Sequence, residues 1–181
     1  IVAVSVVDRW TERLEVAAEA MGLPLTVVAA SHIPISTGLA RPDRTGPDRL
    51  LAAWAASRIN GSPVIVVDLG TATTYDCISG EGAFLGGVIA PGPRAGLEGL
   101  AQRASKLPFI DLVPPDVIIG RRTETCLRSG CFYSIVDAID GMVERIKKEW
   151  GRPAVLVVAT GGLAALIAPH CKSVDVVEPY L

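Results

Sequence analysis

The sequence predicts an α/β fold, one fair-sized domain or two small lobes, with a mixed sheet flanked by helices in its second part. Three observations carry this expectation. The runs "PVIVVDLG" (63–70) and "PAVLVVATGG" (153–162) are apolar without polar alternation, as in strands buried on both faces. The runs "TTYDCIS" and "AFLGGVIA" are separated by Gly80 and Gly82 and read as antiparallel neighbours. Around them lie segments whose apolar residues recur at helical spacing. The boundary falls near Gly61 to Pro63, giving residues 1–62 to the first lobe and 63–181 to the second.

In chain order, "IVAVSVV" reads as a buried strand already in progress at Ile1, and "DRWTERLEVAAEAMG" as an amphipathic helix that Gly22 closes. "LPLTVVAA" is a second strand, and 31–46 a loop rich in Pro, Ser, Thr and Gly. "PDRLLAAWAASRIN" is a helix with Pro47 at its start, where the missing N–H is harmless. Its apolar face is expected at Leu50, Leu51, Trp54, Ala55 and Ile59. After the strands of the second lobe, 94–106 is helical and "LPFIDLVPPDVIIG" is an extended, Pro-broken connection. A long helix spans Thr123 to Trp150, with Ile135, Ile139, Met142, Val143, Ile146 and Trp150 as its buried stripe. The strand at 153–162 leads into the helix "LAALIAPH" and a short strand in "VDVVEP".

Composition narrows the function. Half of the 181 residues are hydrophobic, enough for a sizeable core, and the net charge of −2 gives no electrostatic case for nucleic acid or an anionic membrane. No apolar run is long enough to span a bilayer, and no signal peptide is visible. Cys77, Cys126, Cys131 and Cys171 contain no C-x-x-C pair, and with only His32 and His170 beside them a structural zinc site is not expected. Reduced, apolar, buried thiols in a cytoplasmic protein are the expectation.

Two stretches suggest chemistry. In "VVDLGTATTYD" a buried strand ends in Asp68, Gly70 and the hydroxyls of Thr71, Thr73 and Thr74. Glycine lets backbone N–H groups approach an anion, and the carboxylate can hold a cation that neutralises phosphate; an ordinary turn after a core strand is the plainer reading. In "VVATGGLAALI" a strand meets Gly161-Gly162 and a helix start, which suits a nucleotide or simply a tight turn. A third stretch, "RPDRTGPDRL", writes Pro-Asp-Arg twice, at Asp43 and at Asp48. Asp48 falls in the first turn of a helix, where the dipole favours a carboxylate.

The order D-x-G-T, then strand-T-G-G-helix, resembles the ribonuclease H-like nucleotide-binding lobe of the sugar kinase, actin and heat-shock chaperone superfamily, the actin-like ATPase fold. More narrowly, "SVV", "GPDR", "VVDLGTATTYD", "LGGVIAPG", "KLP", "IIGRRT" and "ATGGLAALI" resemble type III pantothenate kinase over nearly the whole chain. The resemblance implies phosphorylation of pantothenate by ATP, with Mg2+ and a monovalent cation (K+ or NH4+), in a cytoplasmic homodimer that binds neither nucleic acid nor membrane. It implies Asp48 as the general base within a pantothenate-binding Gly46-Pro47-Asp48-Arg49, because only the second repeat carries the family's glycine; Asp43 is left to solvated turn chemistry. Arg49 is matched to the pantothenate carboxylate and Thr123 to a further pantothenate contact, beside its plain role as a helix cap. Asp68 is matched to the monovalent cation, Thr71 and Gly70 to ATP, and Gly161 and Gly162 to the adenosine side. Asp76 receives no catalytic role, and Arg121 and Arg122 read as surface charges. The long helix from Thr123 is the candidate dimer element.

The resemblance also departs. The family's opening D-x-G-N-T phosphate turn has no counterpart here, so the first lobe is expected to be incomplete, truncated at the N-terminus, and this chain alone is not expected to turn over. A non-catalytic regulatory relative, or a kinase of another small alcohol in the same superfamily, stays open at this point.

Overall fold

The structure is a computed structural model that describes residues 1–41, 44–104 and 106–181. The role expected for Asp43 lies outside the described residues.

The elements, in order, are β1 (Val2–Ala3), α1 (Asp8–Ala20), β2 (Thr26–Val27), α2 (Pro47–Asn60), β3 (Val64–Leu69), β4 (Ala72–Ile78), β5 (Phe84–Pro91), α3 (Pro93–Arg103), α4 (Thr123–Trp150), β6 (Leu156–Thr160), α5 (Ala164–Ile167) and β7 (Val176–Val177). One sheet has the order β5-β4-β3-β6-β7. β3 pairs antiparallel with β4 and parallel with β6, while β4–β5 is antiparallel and β6–β7 parallel, so the sheet is mixed as expected. β1 and β2 form a separate parallel pair.

Strand residues alternate between faces, and β3 is apolar on both. Ile65, Val67 and Leu69 join Tyr75, Val157 and Ala159 under Phe132, Val136, Ile139 and Val143 of α4. Val64 and Val66 join Ile78, Phe84 and Val158 under Leu50, Ala53 and Ala56 of α2. The sheet is therefore sandwiched between α2 on one face and α4 with α5 on the other.

Four expectations need correction. The opening run is not a buried strand: β1 is two residues long, and Val2 is 76% exposed. Its single neighbour is the equally short β2, and a two-stranded ribbon covers little apolar surface. The face of α2 is rotated, with Ala52, Ala53 and Ala56 buried beside Leu50 while Ile59 is 62% exposed. Small side chains let the helix approach the sheet closely, and that approach chooses the face. At the start of α4 the capping hydroxyl is Thr125's, which accepts from the Arg122 N–H at 3.1 Å; Thr123 is the first helical residue and is exposed. Finally, the cysteines are free but none is fully buried, and Cys126 is exposed. On α4, Ile139 and Val143 are buried as expected; Ile135, Met142, Ile146 and Trp150 are half-buried against the same core, and Phe132 and Val136 extend the stripe toward the N-terminus.

Candidate functional site

The apolar face beneath α2 becomes polar at one end. Asp68 continues the β3 row of Val64 and Val66, and its register partners are Thr74 on β4 and Thr160 on β6. Two residues along β4 from Thr74, Asp76 is paired with Val66. Period-two alternation thus gathers Asp68, Thr74, Asp76 and Thr160 on one face. The first turn of α2 adds Asp48 and Arg49, because Pro47 opens the helix there.

The contacts are specific. Arg49 donates from Nε at 3.0 Å and from Nη2 at 2.5 Å to Asp76 Oδ1, and Thr74 Oγ1 donates to Asp76 Oδ2 at 3.1 Å. The Arg49 guanidinium carbon also lies 5.7 Å from the centre of the Phe84 ring. Burial pushes the Asp76 carboxyl above its ordinary range, while Arg49 and Thr74 pull it down and Asp68 adds to the rise. Burial likewise raises Asp68, and the negative charge of Asp48 raises it further. The charge of Asp48 therefore reaches Asp68.

Two glycines permit this crowding. A Cβ on Gly46 would meet the Asp48 carboxylate, which would have to move aside. Gly161 has φ +92°, and a Cβ there would overlap the Asp68 carboxylate and the Leu69 backbone. The turn from β6 to α5 is thus laid against the end of β3, where the Leu163 N–H donates to Leu69 O at 3.4 Å.

Past Asp68 the chain opens into a cavity of about 340 Å3 lined by Gly70, Thr71 and Gly162, with Arg94 and Glu98 of α3. Gly92 packs against the carbonyls of Gly70 and Thr71 with no room for a side chain, which brings the start of α3 to this edge. Three of the four residues expected on the ATP side share this cavity; the fourth, Gly161, packs on Asp68. Arg49, matched to the pantothenate carboxylate, is paired with Asp76. Thr123 makes no hydrogen bond to Asp48, Arg49 or Asp68 among the described residues. Sequence reasoning gave no role to Asp76 and overlooked Arg94 and Glu98. The phase of Thr74 and Asp76 with Asp68 was a usable signal for the first; nothing local marks the other two.

Among the described residues no cluster of three or more His, Cys, Asp or Glu side chains could hold a metal ion. The carboxylate that could contribute to a cation site is that of Asp68: the residue is half-buried, within reach of the charge of Asp48, and its carboxylate accepts no hydrogen bond among the described residues. Its remaining ligands would have to be backbone carbonyls, water or phosphate. Mg2+ suits the same surroundings only through substrate phosphates, which is its usual habit.

A family model described as type III pantothenate kinase matches residues 1–145. The type III pantothenate kinase of Moorella thermoacetica is 39% identical over 183 residues, covering 100% of this chain and 72% of that protein. That of Thermobifida fusca is 43% identical over 142 residues, covering 77% of this chain and 55% of that protein. The chain therefore spans between about half and three quarters of the length of these relatives. A solved structure titled as a conserved putative Baf family transcriptional activator from Campylobacter jejuni aligns with TM-score 0.64 at 22% identity, covering 98% of this chain and 75% of that one. At that identity the likeness bears on the fold alone.

Proposed function

The chain belongs to the type III pantothenate kinase family, and from that premise we propose that the protein transfers the γ-phosphoryl group of ATP to the primary hydroxyl of pantothenate, the first step of coenzyme A synthesis. The observation that carries this reading is the juxtaposition at the end of β3: Asp48 near Asp68 and Arg49 on Asp76 on one side, and the cavity at Gly70, Thr71 and Gly162 on the other.

In this reading the pantothenate hydroxyl oxygen attacks the γ-phosphorus while the bond to the bridging β,γ-oxygen breaks and ADP leaves. Asp48 orients the hydroxyl and takes its proton as the new bond forms. Phosphoryl transfer depends chiefly on positioning and charge stabilisation, so late proton loss to a carboxylate suffices. Gly46, Pro47, Arg49 and Thr123 place the pantothenate. Gly70, Thr71, Gly161 and Gly162 serve the nucleotide. Asp68 would hold a monovalent cation, K+ or NH4+, and Mg2+ would ride on the phosphates; both supply positive charge against the transferring group.

The proposal includes a two-lobed, actin-like ATPase arrangement divided near residues 62–63, a homodimer, and a cytoplasmic protein. Free cysteines favour the last, and no helix among the described residues is long and apolar enough to cross a membrane. The test is ADP release by the full-length protein with Mg·ATP and a panel of small alcohols. Release that depends on pantothenate is expected. Release that ignores pantothenate, or that prefers another alcohol, sinks the reading.

A further inference from the structure

Asp76 is the most enclosed acid of the site, 1% exposed, and no step of the transfer uses it. A buried carboxylate is costly unless paired and hydrogen-bonded. Here both oxygens are engaged, Oδ1 by two Arg49 donors and Oδ2 by Thr74. Gly87 on β5 seals it from the side: a Cβ there would overlap the Tyr75 carbonyl and lie 3.0 Å from Asp76 Oδ1. The guanidinium is held along its Nε–Nη2 edge and rests near the Phe84 ring, so its plane is fixed. Its Nη1 amino group has no partner among the described residues, and the side chain is 18% exposed.

Resting on the functional reading above, we infer that Asp76 is a positioning residue for substrate binding: it clamps one edge of the Arg49 guanidinium so that Nη1 is left to a substrate carboxylate, and it pins the turn of α2 that carries Asp48. Arginine suits this double use because its planar fork offers two separate edges of donors. The clamp also sets what the substrate can be. With the Nε–Nη2 edge taken, a carboxylate meets Arg49 through the remaining amino donors, and the geometry selects by direction as well as charge.

The test uses the full-length protein. Asp76→Asn keeps the shape and removes the charge. The KM for pantothenate should rise about tenfold or more, with the KM for ATP within about twofold and kcat falling less than KM rises. Thr74→Val, which removes one bond and keeps the Asp76 charge, should give a smaller rise of the same pattern, and it carries the test if Asp76→Asn does not fold. Because Asp76 acts through Arg49, adding Asp76→Asn to Arg49→Lys should cost little more than Arg49→Lys alone. Thermal destabilisation with both KM values unchanged, a parallel rise of both, or fully additive losses would overturn the inference and leave the kinase reading standing. Unsubstituted protein without pantothenate-dependent turnover would overturn the kinase reading, and this inference with it.

Discussion

Asp48 and Asp68 are neighbours with opposite demands on the site. In the proposed reaction Asp48 accepts a proton, so Asp48→Asn in the full-length protein should lower turnover about a hundredfold to ten-thousandfold, the range usual for a general base. Asp43→Asn should change it little; equal losses from the two would assign the base to the wrong repeat. Asp68 is held under electrostatic stress. Burial, and then the charge of Asp48, raise its carboxyl pKa in the fold. A raised acid pKa means that the folded chain holds the proton more tightly than the unfolded one. The stability that comes with that proton is full below the unfolded carboxyl range and is lost as pH rises through the folded pKa. At about pH 7 the ionised Asp68 therefore counts against folding. Asp68→Asn should raise Tm by a few degrees near neutrality in a bulky organic-cation buffer, and the gain should vanish toward about pH 4. Exchanging the organic cation for potassium at equal ionic strength should raise the Tm of the unsubstituted protein and leave Asp68→Asn unmoved, since a bound cation stabilises only a chain that holds it. A Tm indifferent to potassium in both proteins would remove the cation from Asp68.

The turn between β6 and α5 shows how an element carries the site. Gly161 sits at positive φ with the Asp68 carboxylate and the Leu69 backbone where its side chain would be. Gly161→Ala is expected to destabilise by about 1–3 kcal/mol, from the strained backbone together with the overlap, and to weaken ATP binding because Gly162 lines the cavity next to it. Titration with a nucleotide and thermal melting check both, and an alanine variant as stable and as tight as the parent would contradict this packing. The same elements show what the sequence could reveal. α2 opens at Pro47 and α4 runs from Thr123 to Trp150 as the sequence indicates, but the capping hydroxyl at the start of α4 is that of Thr125, not of Thr123. β3 and β6 were legible because strands apolar on both faces need no tertiary information to be recognised. The Arg49–Asp76 pair was not, because it joins residues 27 apart in sequence through the α2–β4 packing. Arg94 and Glu98 reach the cavity only because Gly92 docks on the turn at Gly70 and Thr71. β1 failed for the converse reason, since its apolar composition states a preference for burial that a single short neighbour does not satisfy.

At the scale of the whole molecule, the segment between α3 and α4 bears apolar side chains that the fold does not cover. Phe109, Val117 and Ile118 are exposed, and Ile119 is 86% exposed. This backbone is tied down: Ser129 Oγ of α4 donates to Ile118 O at 2.7 Å, and Gly120 packs against Cys126 N with no space for a side chain. Apolar side chains displayed on a pinned backbone mark an interaction surface better than the same residues on a loose loop. α4 itself is already committed to the core through Phe132, Val136, Ile139 and Val143, so its approach, rather than its buried stripe, is the candidate contact for a second copy. A twofold dimer is the commonest closed assembly, and it would set two such patches face to face. Light scattering on the full-length protein should then give a dimer mass, and Ile118→Glu with Ile119→Glu should reduce it to a monomer while circular dichroism is unchanged, because neither side chain belongs to the core. Thr123 follows this segment closely, so loss of the dimer should also raise the KM for pantothenate more than that for ATP. A dimer mass that survives both substitutions would place the interface elsewhere on the chain.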